Sequence, residues 1–215
     1  MATARAATIE AGTDTQERIL QAALAAFSEN GFEGAKTREI AARAGVPLGL
    51  LQYHFGGKLE LWRAAVDRSL GELRAGLDAI LADPQPADER EQLRLLIRGH
   101  VHFVARNPSF VRLMHDEGMR RGPRMRWMVD RHVKPLYDAL VPLIERAQRK
   151  GFLPTGIAPL HFVYILAGAA GVIFHQAEEC KRLSGANPAD PAVVDAHARA
   201  VEHLFLGPPT KEKPR

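Results

Sequence analysis

Cysteine is nearly missing from this 215-residue chain: Cys180 stands alone, so no intrachain disulfide is available. A single thiol suits a reducing compartment and reads first as inert. Strand signals are almost absent too, because apolar residues recur at helical spacing along nearly the whole sequence. The longest uncharged apolar run, Phe162 to Phe174, is too short to cross a bilayer and suits a buried helix. No G-x-S-x-G, Gly-rich phosphate loop, H-E-x-x-H or paired-carboxylate motif occurs, so no enzyme and no cofactor are expected. The start lacks an apolar run, and residues 1–12 read as a disordered arm rather than a signal peptide.

What is present concentrates in residues 37–58, T-R-E-I-A-A-R-A-G-V-P-L-G-L-L-Q-Y-H-F-G-G-K. Thr37 is a good N-cap residue, and Glu39 places a negative charge in the first turn, where the helix dipole favours it. Ile40, Ala41 and Ala44 make a small apolar face, and Gly45 stands where a C-terminal glycine belongs. Val46 and Pro47 form a turn, and a second helix runs from about Leu48 to Phe55 before Gly56-Gly57 breaks it. Two short helices around a tight Gly-containing turn are what a DNA-reading helix-turn-helix requires. The same turn also suits an ordinary helical hairpin, and the flanks decide. Thr13 and Gln16 fit a capping box, and Ile19, Leu20, Ala23, Leu24 and Phe27 repeat at helical spacing until Asn30-Gly31.

Taken together, E-R-I-L-Q-A-A-L-A-A-F-S-E-N-G-F, T-R-E-I-A-A-R-A-G-V and Y-H-F-G-G-K-L-E-L closely resemble the tetracycline-repressor (TetR) family over residues 14–62. The resemblance implies an all-α fold. An N-terminal three-helix helix-turn-helix DNA-binding domain (13–57) is joined by a long helix (57–82) to a helical ligand-binding and dimerisation domain (83–206). A disordered tail (207–215) would follow. The expected partners are a double-stranded DNA operator, a small-molecule effector and a second copy of the chain, in the cytoplasm and without a membrane.

Charge limits how such a domain can work. The net charge is +4, yet residues 1–60 carry 6 Lys/Arg against 7 Asp/Glu, a net of −1. A generally basic surface is thereby excluded, and phosphate contacts must come from a few placed groups: Lys36, Thr37, Arg38, Arg43, His54, Lys58 and helix N-terminal amides. By the family's pattern, Leu48, Gly49, Leu50, Gln52 and Tyr53 lie on the exposed side or N-terminal end of the recognition helix, with Leu51 and Phe55 turned to the core. Gln52 suits an adenine edge and Leu50 a thymine methyl. Leu50, Gln52 and Pro47 depart from the family's usual Thr or Ser, aromatic and capping Ser, which bears on the operator sequence. Tyr53 and His54 also admit plain packing against the long helix.

Downstream, Asp83 to Asp88 reads as a linker, followed by helices over about 89–106, 109–119, 124–150 (interrupted locally by Pro135 and Pro142), 159–183 and 190–206. The last two carry more apolar surface than one small domain needs. In the family such helices form a four-helix bundle across a two-fold axis, so Ile165, Gly168, Gly171, Val172, His175, Val194, Val201 and Phe205 are expected at a dimer interface. The middle helices should line an effector pocket drawn from His100, Phe103, Val104, Phe110, Met114, Trp127, Met128, Arg131, Tyr137, Leu140, Phe162 and Leu166, with about a third of them facing it. Their aromatic and Met content points to a hydrophobic or amphipathic effector, with Arg131 or His132 available for an acidic head group. His115-Asp116-Glu117 and His175 with Glu179 raise a metal site, but no full ligand set follows from their spacing, and none is expected. The resulting expectation is a ligand-responsive transcriptional repressor. A DNA-binding regulator with no effector is the alternative.

Overall fold

The structure is a computed structural model that describes, side chains included, residues 14–82 and 89–208. The linker at 83–88 and the tail from 209 onward lie outside these; of the expected arm over residues 1–12, the backbone from Ala2 on belongs to α1 and the side chains lie outside. The described residues are α-helical with no strand. The order is α1 (Ala2–Gly34), α2 (Thr37–Arg43), α3 (Leu48–Phe55), α4 (Lys58–Ala82), α5 (Glu89–Arg106), α6 (Pro108–Gly118), α7 (Pro123–Met128), a π-helical turn (Val129–Val133), α8 (Lys134–Arg149), α9 (Pro159–His175), α10 (Ala177–Ser184) and α11 (Pro191–Leu206). Two compact units result. The first holds residues up to Gly71 with Arg112–Met125, and the second holds Glu72–Val111 with residues from Arg126 on.

In the first unit the apolar stripe of α1 meets the small helices. Ile19, Ala23 and Phe27 are buried with Ile40 of α2, Leu51 of α3, and Leu61, Trp62 and Val66 of α4. Gly31, at φ +65°, interrupts α1 where Asn30-Gly31 was expected to end it. The left-handed backbone there costs glycine nothing and other residues strain. Phe32 then stacks on Phe27 and meets Trp62 edge-on, with centroids 5.9 and 6.4 Å apart.

The second unit is built around α5. Leu93, Ile97 and Val101 are buried with Leu143, Ile144 and Ala147 of α8, Phe162 of α9 and Val201 of α11. Phe162 and Phe205 meet at 4.8 Å, and His197 of α11 donates from Nε2 to the Ala169 carbonyl of α9 at 2.9 Å.

Two long helices read from the sequence divide, the first beside the Pro135 interruption expected there and the second where none was expected. The stretch 124–150 divides at the π turn Val129–Val133, immediately before Pro135 in the first turn of α8. Proline supplies no amide there, and the wider turn accommodates the missing donor. The stretch 159–183 divides at Gln176, whose φ −104° and ψ +39° leave the helical region, so that α9 and α10 differ by 73°. No Gly or Pro marks this break. The signal is compositional: apolar α9 gives way to Glu178, Glu179, Lys181 and Arg182. No single helix among the described residues is long and apolar enough to cross a membrane.

Candidate functional site

The turn between α2 and α3 follows from backbone chemistry. Gly45 takes φ +66°, its amide donates to Ala42 O at 3.1 Å, and the Val46 amide donates to Ala41 O at 3.0 Å. This crossed pair is the Schellman closure, and it needs a left-handed residue where glycine stands. Pro47, extended at φ −61° and ψ +143°, then accepts from the Leu50 and Leu51 amides and starts α3. At α2 the residue in the cap position is Lys36, extended, with no side-chain cap bond; Thr37 is already the first helical residue, one place later than expected. Lys36 instead reaches Glu39 at 3.0 Å.

Within α3 the burial alternates as a surface helix demands. Leu51 is fully buried and Phe55 half-buried, while Gly49, Gln52 and Tyr53 are exposed, Tyr53 at 82%. Leu48, Leu50 and His54 lie between these limits. A large aromatic left this open to solvent contributes little to the core, so plain packing does not account for Tyr53. His54 is tied down: its Nδ1 lies 3.1 Å from Gln16 Nε2 on α1.

An open concavity of about 490 Å³ runs past the starts of α2, α3 and α4. It is lined by Lys36, Thr37, Arg38, Leu48, Gln52 and Lys58 of the expected DNA-contact set, and by Glu33, Gly56 and Gly57, which are not in that set. Gly49, Leu50, Tyr53 and His54 lie off it. Helix N-termini gathered on one concave surface present unpaired amides and positive dipole ends, which is how backbone binds phosphate. Lys58 is partly engaged, donating to the Glu33 carbonyl at 3.0 Å and standing 4.9 Å from the Phe32 ring centroid. Arg43 is occupied elsewhere. It grips Glu29 with two bonds of 2.8 and 2.9 Å, and that hydrogen bonding holds the Glu29 carboxyl below its usual range. Arg38, exposed on α2, remains among the cations of this surface.

The second unit contains a cavity of about 390 Å³. Of the expected pocket residues, His100, Phe103, Leu140, Phe162 and Leu166 line it. The others do not. Val104 and Phe110 are buried in packing, Phe110 meeting Phe103 edge-on at 5.8 Å. Met114 belongs to the first unit, and Met128 is buried away from the cavity. Arg131 is exposed and sits 6.0 Å from the Trp127 ring, and Tyr137 is half-buried outside the lining. The lining not expected from sequence includes one whole helix, α4, where Leu73, Leu77 and Ile80 sit on one helical stripe of what the sequence presents as a connector. Burial in this apolar setting lowers His100 from about 6.5 to about 4, so the imidazole is neutral at physiological pH.

The expected dimer residues divide by exposure. Ile165, Gly168 and Val172 form an exposed face of α9 with Tyr164, itself 71% exposed. Gly171, Val194 and Val201 are buried within their own unit, Phe205 packs on Phe162, and His175 is half-buried. Glu117, one of the acidic residues raised for metal, is buried and reached by Arg124 at 3.3 Å. No group of three or more His, Cys, Asp or Glu able to hold a metal ion occurs among the described residues.

A helix-turn-helix with placed cations, in a chain whose other unit is a helical bundle with a partly open apolar cavity, defines a DNA-binding regulator. The comparisons with known proteins make this specific. A model of "Bacterial regulatory proteins, tetR family" matches residues 19–65, and one of "Tetracyclin repressor-like, C-terminal domain" matches residues 90–204. The chain belongs to the TetR family of transcriptional regulators. It is similar to the transcriptional repressor NicS of Pseudomonas putida, with 29% identity over 160 residues covering 71% of this chain and 72% of that one. It is also similar to the transcriptional regulator RutR of Escherichia coli, with 28% identity over 193 residues covering 89% and 88%. Among solved structures, AibR in complex with isovaleryl coenzyme A and operator DNA shares the fold at TM-score 0.71 and 19% identity, over 90% of this chain and 99% of that one.

Proposed function

We propose that the chain is a ligand-responsive repressor that binds a palindromic operator as a homodimer and leaves it when a small apolar molecule occupies the second unit. The observation that carries this is the apolar cavity of about 390 Å³, near the lower end of the roughly 300–1,000 Å³ that small-molecule sites span. A helical domain serving only to dimerise has no use for such a void, because interiors normally close-pack. That a family member is known as a repressor, and that a protein of this fold was solved with an acyl-coenzyme A and operator DNA, supports the reading. Acting on DNA, the protein would work in the cytoplasm.

Mechanistically, two recognition helices on a two-fold axis must meet major grooves roughly 34–36 Å apart. Effector binding would favour a dimer with another spacing, and α4 is the covalent route, since its first half is built into the DNA-reading unit and its second half lines the cavity. Only a ligand that prefers one arrangement shifts the population. The test begins by selecting operator DNA from a random library with the full chain. The selected duplex is then titrated with apolar compounds in a gel-shift assay. Palindromic selection and compound-dependent release are expected. A palindrome bound equally in every condition, by a chain that takes up no compound, would establish the regulator without an effector.

A further inference from the structure

His100 stands on the cavity wall with no hydrogen-bond partner among the described residues. Its neighbours on the lining are apolar: Leu96, Phe103, Leu140, Phe162 and Leu166. The side chain is half-buried, and an imidazole that bonds nothing in the protein keeps a donor and an acceptor free for an atom that enters the cavity. Two charged residues, Glu72 and Arg106, also contribute to the lining, and both are exposed, which places them at the rim. They carry opposite signs and bring no net charge. Apart from Arg106, the described lining residues include no Lys or Arg to receive an anion, and a carboxylate moved past the rim would lose its hydration uncompensated.

Taking the cavity to be the effector site, as proposed above, we infer that it selects an uncharged apolar group carrying one hydrogen-bonding atom, and that His100 is the residue which recognises that atom. A hydroxyl, a ketone, an ester or the thioester end of an acyl chain meets this description; a free acid does not. The neutral ring can either donate or accept, so both kinds of atom are served. Charged parts of a larger ligand would remain outside, past Glu72 and Arg106. The lowered proton affinity of His100 agrees with this: below neutral pH the ring still presents a lone pair and one N–H rather than a charge.

The experiment uses the full chain at pH 7.5 and N-phenyl-1-naphthylamine, an uncharged apolar fluorophore, displaced by 1-octanol, octanoate or 1-chlorooctane. The fluorophore should enter, and 1-octanol should displace it at concentrations at least tenfold below octanoate. His100→Leu should weaken 1-octanol by about three- to tenfold, the loss of one neutral hydrogen bond, and leave 1-chlorooctane unchanged or tighter. His100→Gln, which keeps a polar group, should restore most of the loss. Octanoate equal to or better than 1-octanol, or His100→Leu without effect on 1-octanol, overturns the inference while the site stands. Ala167→Phe and Leu166→Trp, which fill the cavity, test the site itself. Unchanged fluorophore uptake in folded samples of either, or no uptake by the wild-type chain, removes the cavity as the effector site and the inference with it.

Discussion

Arg124 lays its guanidinium on the ring of Phe32, 3.9 Å from the centroid, and reaches Glu117 at 3.3 Å and Glu33 at 3.4 Å from the same side chain. Phe32 follows directly on the left-handed Gly31, and Lys58 approaches the same ring at 4.9 Å. One aromatic thus gathers the end of α1, the first residue of α4 and a residue of α7. Arg124→Ala strips the buried Glu117 of this cation and the ring of its partner. Removing one member of a largely buried pair, with a cation–π contact, should destabilise the chain by about 2–3 kcal/mol. Urea unfolding measures it, and Glu117→Gln in the same background should recover part. A change under roughly 0.5 kcal/mol, the range of an ordinary surface substitution, would refute the packing role.

Tyr53 and Lys58 should separate under mutation, although both belong to the expected DNA surface. Tyr53 is 82% exposed, so Tyr53→Ala should leave the urea midpoint unchanged and reduce operator affinity by at least tenfold, the scale of one lost specific contact. Lys58 also donates to the Glu33 carbonyl, so Lys58→Ala should lower stability and affinity together. Operator affinity unchanged in Tyr53→Ala would remove α3 as the reading helix in the orientation described.

Arg38 offers a charge test of the same surface. Counterion release makes the logarithm of affinity fall by about 0.9 per phosphate contact for each logarithmic unit of salt. In the proposed dimer, with Arg38 on phosphate in each copy, Arg38→Ala would remove two contacts, so the slope should become shallower by about two, with little change in sequence preference. Arg43→Ala is the control: bound to Glu29 at 2.8 Å, it should barely move the slope.

Much of the DNA-reading unit is legible in the chain because its chemistry is local. Gly45 and Gly56 take positive φ values that few other residues tolerate, Pro47 stands directly before the first residue of α3, and the helix boundaries follow. The cavity is less legible because its lining depends on which turns of α5 meet α4, α8 and α9. Phe103 and Phe110 are equally apolar and seven residues apart, yet only Phe103 faces the space. Leu73, Leu77 and Ile80 form a readable stripe, but the pattern of a helix that also connects two units does not say what that stripe lines. The break at Gln176 has no Gly or Pro to announce it. On α9 and α11, apolar residues occur on all sides, so periodicity alone did not separate the exposed Ile165 from the buried Gly171.

Two glycines of α9 should therefore behave differently. A Cβ at Gly168 would meet nothing within 4 Å, whereas one at Gly171 would lie 3.7 Å from Val104 Cγ1 and 3.8 Å from Val111 Cγ1. Gly171→Ala fits, but Gly171→Leu overpacks the unit and should cost about 1–3 kcal/mol. Charges on the exposed face, Ile165→Glu with Val172→Glu, should leave the fold intact and convert the proposed dimer to monomer in sedimentation velocity. A double mutant still wholly dimeric would place the interface elsewhere.

His100 supplies a pH prediction with a definite sign. Its folded value is about 4, against about 6.5 when unfolded. Above pH 6.5 both states are neutral and the residue contributes no pH dependence. Between 6.5 and 4 the unfolded chain takes up a proton that the folded chain refuses, so stability falls as pH falls, and below 4 the effect levels off. A shift of this size corresponds to a loss on the order of 3 kcal/mol over the whole window. Glu72 and Arg106, the other charged residues of the cavity lining, are common to both chains when wild type is compared with His100→Leu, as is every other titrating group. The difference in urea unfolding free energy between the two should therefore isolate His100, constant from pH 8 to 7 and moving in favour of His100→Leu as pH drops toward 4.5. A difference that stays flat across that range would mean that the folded chain protonates His100 as readily as water does, and that the ring is not held in an apolar cavity.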